Sequence, residues 1–385
     1  MRRVLTWAVI LIAAAAGALA LAGWYLSDEL LRTGPQDGPE AEVPLAEVDP
    51  DRGLVRLAAD AGELTELRTV GLVTDGALLL LHGPPQDDPA DDTTERRADL
   101  LDGSWPEAGE LAHLAVDTFA GSPDATLGIP LETVGVPSEL GDLPAWRVVP
   151  PGAASEDTWT VIVNGTGSTR AEGNRLLPTL RRLRLPSLSI SLRNSPDAPA
   201  TPDGLNRFGT TEWRDLQAAL DHLDEVEDAR RFVLVGLGQG AASALEFLRR
   251  SDDADAVDAA VLISPLVSLD AVWANQIRDR GLPEPMVAPL LETTRRISQL
   301  RAELPRDAAE HLQDLDELPA ELPMLVTHGE ADAVFPVEPT RELAEGLGEQ
   351  VAYEEYRSVG HLQEWNADPE RFEEDLYTFL DRVVR

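Results

Sequence analysis

Cysteine is missing from this chain of 385 residues, and so is lysine. Without cysteine there is no disulfide framework and no thiolate chemistry. Without lysine, every side-chain cation other than a protonated histidine is an arginine. Basic residues are scarce against acidic ones, 32 against 69, for a net charge of -37. A surface that acidic repels nucleic acid and anionic headgroups, so no nucleic-acid partner is expected. It suits a high-salt setting, where screening weakens self-repulsion; a coding bias toward Arg and Ala accounts for it equally well. No cluster of His or carboxylates has metal-ligand spacing, so neither a metal nor another cofactor is expected.

What is present begins with a run that carries no charge. Val4 to Leu26 is apolar throughout, preceded by Arg2 and Arg3 and followed by Asp28 and Glu29. About 20 apolar residues span a bilayer as a helix. The arginine pair holds the N-terminus in the cytoplasm and places the bulk outside, with Trp24 and Tyr25 at the interfacial belt. A cleaved signal peptide, with Ala18-Leu19-Ala20 as the small-residue site, is the alternative and makes the protein secreted. The run continues past that site, which favours a single-pass anchor in the cell membrane.

The chain divides into an anchor over 1–27, a Gly/Pro/acid-rich linker over 28–47, a small β-rich region over 48–135 and an α/β domain over 136–385. In the β-rich region, Asp75-Gly76 splits two apolar runs and signals a hairpin. Pro84 to Gly109 reads as a polar loop, and His82 as structural. From Thr158 onward, strand-like and helix-like segments alternate, which predicts a mainly parallel sheet with helices on both faces. Thr169 and Glu172 form a capping-box pattern for a helix to about Leu183, with Pro178 kinking or restarting it. A second helix is expected from Thr210 to Leu223, capped by Thr210 or Thr211. The stretch of about 266–318 is mostly helical, and a closing helix carries Phe372, Leu376 and Leu380 on one stripe.

The chain is organised around RFVLVGLGQGAASAL, Arg231 to Leu245. A buried strand stops at glycine and turns into a small-residue helix. Gly236 and Gly240 fit the nucleophile elbow G-x-S-x-G, and Gly238 stands where the serine belongs. A phosphate-binding turn and a plain tight turn are the competing readings; the third glycine of G-x-G-x-x-G would fall at Ala241. Two later strand ends add context. One is followed by His328-Gly329-Glu330-Ala331-Asp332, the other by Gly360-His361. Chemistry in such sheets sits at the carboxyl ends of the strands, and the order 238, 332, 361 is nucleophile, acid, histidine.

On these residues, roughly Val136 to Arg385 resembles the α/β hydrolases of esterase, lipase and serine-aminopeptidase type. The segments WTVIVNGTGSTR, LSISLRNSPDAP, GTTEWRDL, LVGLGQGAA, THGEADAVFPV and GHLQEWNADPERF resemble a membrane-anchored actinobacterial-type branch. The resemblance implies that Asp332 orients His361, and that His361 serves as general base and then acid. It implies oxyanion donors at the amides of Gln239 and of the Gly165-Thr166 loop. The family's usual His-Gly is Asn164-Gly165 here, which leaves backbone amides in place. It also implies that the helical stretch after residue 266 is a cap over the substrate cleft. Gly238 is the departure: with no hydroxyl there, no acyl-enzyme forms, and loss of a catalytic serine costs on the order of 10^6 in turnover. The N-myc downstream-regulated proteins, a non-enzymatic group, are similar in carrying Gly-x-Gly-x-Gly at this turn.

Two functions are therefore expected in competition. One is a degenerate hydrolase that binds an ester, amide or acyl ligand, or a protein partner. The other is a working hydrolase using His361 and Asp332 with water or a displaced hydroxyl, among Thr166, Ser168, Ser243 and Ser264, of which Ser264 is the best placed. His113, His222 and His311 read as solvated. Arg193-Asn194 and Glu212-Trp213-Asp215 read as loop braces.

Overall fold

Alternation at period two dominates the first strands. Val43 and Leu45, Val55 and Leu57, Val70 and Leu72, Leu79 and Leu81, Ala112 and Leu114 all point into one core. A computed structural model describes residues 2–32, 42–58, 63–88, 91–153, 157–165, 167–305, 318–319 and 321–384. Thr166, His311, part of the linker (33–41) and part of the expected cap lie outside them. The alternating strands are β1 (Val43–Asp49), β2 (Leu54–Ala58), β3 (Thr69–Val73), β4 (Ala77–Asp88), β5 (Thr93–Gly103) and β6 (Leu111–Ala115). They close into a barrel in the order β1-β2-β5-β4-β3-β6.

Two expectations need correction here. The polar stretch after Pro84 is largely strand, because β4 and β5 pair from Gln86 with Glu95 out to Asp88 with Thr93. Ladder bonds join backbone groups, so side chains facing water can be polar and acidic without breaking the strand. The register shift between His82 and Gln86 accommodates Gly83, Pro84 and Pro85. Nor is 28–47 all linker: helix α1 (Arg2–Leu31) runs on through Leu31, and β1 begins at Val43.

After a single turn, α2 (Pro123–Thr126), the chain enters the main sheet at β7 (Glu132–Ser138), slightly ahead of the expected boundary. β8 (Gly141–Val148), β9 (Thr158–Val163), β10 (Ser187–Ile190), β11 (Arg231–Leu237), β12 (Val257–Ile263), β13 (Met324–Gly329) and β14 (Val351–Tyr356) complete it. The order is β14-β13-β12-β11-β9-β10-β8-β7. β9 to β14 run parallel, while β8 is antiparallel to β10, and β7 to β8. The sheet is thus mixed, parallel at its centre with an antiparallel edge.

Burial on both faces explains the continuous apolar runs of the central strands. Leu234 of β11 joins a cluster with α4 (Trp213–Glu227) and α5 (Gln239–Arg250), through Leu216, Leu220, Leu245 and Phe247. Val233, Val235 and Leu237 join the opposite cluster. There they meet Leu180 of α3 (Leu177–Leu183) and the stripe Phe372, Leu376 and Leu380 of the closing helix.

Local helix starts differ from expectation. Thr169 makes no side-chain cap; a 3-10 segment covers Arg170–Leu176, and α3 restarts with Pro178 in its first turn. Glu212, rather than a threonine, organises the start of α4. Its carboxylate accepts from the amides of Arg207, Gly209 and Thr211. The first part of the expected cap forms α6 (Leu269–Asp279) and α7 (Glu284–Ala302), followed after β13 by α8 (Glu338–Leu347), α9 (Glu364–Ala367) and α10 (Pro369–Val383).

Candidate active site

The turn between β11 and α5 is set by three glycines with two different duties. A Cβ at Gly236 would overlap the Ala241 backbone, and one at Gly240 would overlap the Val163 carbonyl. Only hydrogen fits either place. Gly238, at the apex, has φ 54 and ψ -116. This conformation is strained for any residue with a Cβ. Space is not the constraint: a Cβ at Gly238 would lie 3.4 Å from His361 Nε2 and 3.5 Å from Phe335 Cε2, ordinary contact distances. The apex is held by β12, with the Gly238 amide donating to Ile263 O at 2.9 Å and the Gly238 carbonyl accepting from Leu266 N at 3.1 Å.

His361 reaches this point from the loop after β14. Its Nδ1 lies 2.7 Å from Asp332 Oδ2. Nδ1–H donation to the carboxylate leaves the Nε2 lone pair toward Gly238. Phe335 packs its ring against the imidazole, 4.6 Å between centroids at 76°. Asp332 is itself over-determined. Its Oδ1 accepts from the amides of Val334 at 2.8 Å and Phe335 at 2.7 Å. A buried second histidine, His328, puts Nε2 3.2 Å from Asp332 Oδ2 and 2.9 Å from Phe335 O. Burial alone would raise the Asp332 carboxyl, but His361, His328 and the Phe335 amide outweigh it and hold the group well below the usual carboxylate range. Burial likewise opposes charge on His361, yet Asp332, then Glu172 and Glu364, raise it above the ordinary histidine value.

The structure therefore brings Gly238, Asp332 and His361 together. Gly165 and Gln239 line the same cavity as His361, so two of the three expected oxyanion positions face it. The Gln239 amide opens α5, where the helix dipole favours negative charge. Its side chain is tied off separately by a reciprocal amide pair with Asn206, at 2.7 and 2.6 Å.

Ser264 does not serve as a displaced nucleophile. It is fully buried, and its hydroxyl donates to Glu364 Oε1 at 2.8 Å while accepting from Leu362 N at 3.1 Å. Arg175 Nη1 holds the Leu362 carbonyl at 2.7 Å. Ser264 and Arg175 thus clamp both sides of the residue following His361. Ser243 is buried inside α5 and does not line the cavity; Ser168 does. His82, His113 and His222 lie outside the lining and are half-buried, His82 with its Nε2 3.1 Å from Asp99. Arg193 grips buried Asp215 and the carboxylate of Glu139, a structural brace as expected.

The cavity measures about 890 Å³. One wall was not legible in the sequence: Leu64, Leu67, Val116 and Asp117 come from the barrel side. Glu172, read as a helix cap, lines the cavity instead. Burial pushes its carboxyl up to about 7, helped by Asp117 and opposed by Arg175, His361 and Ser168. The pattern Thr-x-x-Glu carries no mark of this role, because the two readings differ only in where the carboxylate points. His328 had a local signal, lying four residues before Asp332 in the HGEAD turn.

No family model and no curated protein matches the chain. Among solved structures, the esterase Pf2001 of Pyrococcus furiosus is similar in two crystal forms. One aligns with a TM-score of 0.53 at 20% identity, covering 69% of this chain and 94% of the esterase. The other gives 0.52 at 18% identity, covering 69% and 97%. At such identities the likeness is one of fold.

Proposed function

We propose that this chain, an α/β-hydrolase fold with glycine at its nucleophile position, is a membrane-anchored binding protein for an acyl-bearing ligand and does not perform serine-type acyl transfer. One observation carries the reading: the apex faced by His361 Nε2 is Gly238, with room for a side chain and none present. The rest of the site suits an acyl group. Leu64, Leu67, Val116, Leu237 and Val359 offer apolar walls, and the start of α5 offers the positive end of a helix dipole. The volume is that of an ordinary small-molecule site. The charge-free run and the exposed side chains from Ile10 to Ala18 support the anchor. Arg2 and Arg3 support a cytoplasmic N-terminus with the hydrolase-fold domain outside.

A fluorophosphonate probe and p-nitrophenyl esters test this directly. The parent chain is expected neither to label nor to turn over esters, and Gly238→Ser is expected to label. Ester turnover by the parent that disappears in His361→Ala would overturn the binding-only reading.

The intact His361–Asp332 pair supports a second reading, direct general-base hydrolysis of an ester or amide. Here neutral His361 takes a proton from water at the position a serine hydroxyl would occupy, and the water oxygen attacks the carbonyl. Only neutral imidazole can do this, and His361 is raised above its ordinary value. Turnover of this kind would therefore rise with pH through a midpoint above about 6.5.

A further inference from the structure

Helix α1 does not simply tether the domain; its second half is packed into it, side by side with α7. Gly23 allows close approach, since a Cβ there would meet Thr293 Cγ2 at 2.7 Å. Four residues further, Ser27 Oγ lies 3.0 Å from Ser298 Oγ. Asp28 then pairs with Arg301, whose guanidinium also covers the Trp24 ring at 4.4 Å. Contacts advance together along both helices, so the two run parallel. Leu19 packs against the cluster formed by Leu26, Ala274, Ile277, Val287 and Leu290. The last residue, Leu31, is fully buried with Trp273 and Phe335.

This packing fixes where the cap stands relative to a bilayer. Thr293 is level with Gly23, just beneath the aromatic pair Trp24-Tyr25. Stepping back from Thr293 to Met286 descends about 10 Å at the helical rise. That brings the start of α7 level with about residue 16 of α1. From there back to Val4 the free length of α1 is roughly 20 Å, short of the roughly 30 Å hydrocarbon core. A bilayer crossed by α1 must therefore rise along the cap. The surface it would meet is apolar. Pro283, Pro285, Met286, Ala288 and Pro289 are exposed, Met286 by 48%. Of the charges at this end, Arg278 faces Glu284 at 3.4 Å, Arg280 reaches up to Glu29 of α1 at 2.6 Å, and Asp279 is exposed; long side chains such as these can extend to the headgroups.

We infer that the α6–α7 tip, from Pro283 to Pro289, is seated in the outer leaflet of the membrane that α1 crosses. The inference rests on the anchor reading and goes beyond it by assigning the cap a lipid-facing surface. Interfacial elements of this kind sink about 5–10 Å into the headgroup–acyl boundary. Contrary to the expected cap over the cleft, no described residue of α6 or α7 lines the cavity. The buried end of α1 adds a link, since Phe335 beside Leu31 is the residue that packs on His361.

The absence of native cysteine makes the test clean. Ile12→Cys, Met286→Cys and Val226→Cys all replace exposed side chains, so folding is not at stake. Each full-length variant is labelled with an environment-sensitive fluorophore and reconstituted into phosphatidylcholine vesicles with or without brominated acyl chains. The expected result is blue-shifted, bromine-quenched emission at positions 12 and 286 and unquenched emission at 226. Quenching at 12 without quenching at 286 overturns the inference and leaves the anchor standing. Absence of quenching at 12 overturns the anchor and the inference with it.

Discussion

Two residues of the cavity carry opposite lessons about substitution. Gly238 has φ 54, so Gly238→Ser adds backbone strain of about 1–2 kcal/mol. It finds room for its Cβ, however, and the variant should stay folded with a slightly lowered urea midpoint. A variant that fails to fold would show that the apex tolerates no side chain. Glu172 works through charge. Its folded carboxyl titrates near 7 against an ordinary value of 4.5. Ionisation is thus harder in the folded state, and stability falls as pH rises from the ordinary value through about 7. Glu172→Gln should be more stable than the parent above pH 7, by about 1–2 kcal/mol after allowance for partial exposure, with no advantage below pH 4.5. Urea unfolding across that range decides it; an advantage that persists at low pH would assign the effect to packing. His361 and Asp332 behave as a pair. The raised histidine stabilises the fold below its unfolded value and loses that contribution as pH rises through its folded value. The depressed carboxylate stabilises above about 3.8 and fails as pH falls through its own.

At the scale of elements, the strand–turn–helix around Gly238 and the docking of α1 follow from different physics. The turn follows from local sterics, so its three glycines could be read from spacing alone. The α1 docking could not, because the same charge-free run serves a lipid-facing helix and a helix half-buried in protein. Leu31 tests the docking. It is fully buried among Leu266, Trp273 and Phe335, and its carbonyl accepts from the Asn206 amide at 2.7 Å. Leu31→Ala should destabilise by about 2–4 kcal/mol. The loss should also reach the site, because Asn206 pairs with Gln239. A urea midpoint unchanged from the parent would mean that α1 is a tether only. Strands β4 and β5 show why elements escape a reading by polarity: Gln86, Asp87 and Asp88 sit on a paired strand whose outward face meets water.

At the scale of the molecule, the barrel and the hydrolase fold meet through a polar hub. Asn366 Nδ2 shares its two hydrogens among three acceptors, the carbonyls of Thr69 and Val116, each at 3.1 Å, and Thr118 Oγ1 at 2.9 Å. This junction brings Val116 and Asp117 to the cavity wall, giving the barrel a part in the site. The whole molecule also carries a net charge of -37. Raising salt from 0.1 M to 1 M shortens the screening length from about 10 Å to about 3 Å and should relieve self-repulsion. A melting temperature that rises with sodium chloride is expected; a fall would mean that the many Arg–carboxylate pairs dominate the electrostatics.

What the sequence determined by itself was whatever local physics dictates. It set the charge-free helix, the alternating and doubly buried strands, and the glycine turn. It also set the order of the three strand ends, because a period or a steric limit is written into neighbouring residues. The tertiary structure decided how far apart distant residues would stand and which way their side chains would face. It buried Ser264 as a clamp on Leu362, placed Glu172 on the cavity wall instead of at a helix cap, and brought the barrel side to the cavity that His361 lines. Those outcomes depend on contacts between segments tens to hundreds of residues apart, where packing selects among orientations that the local sequence permits equally.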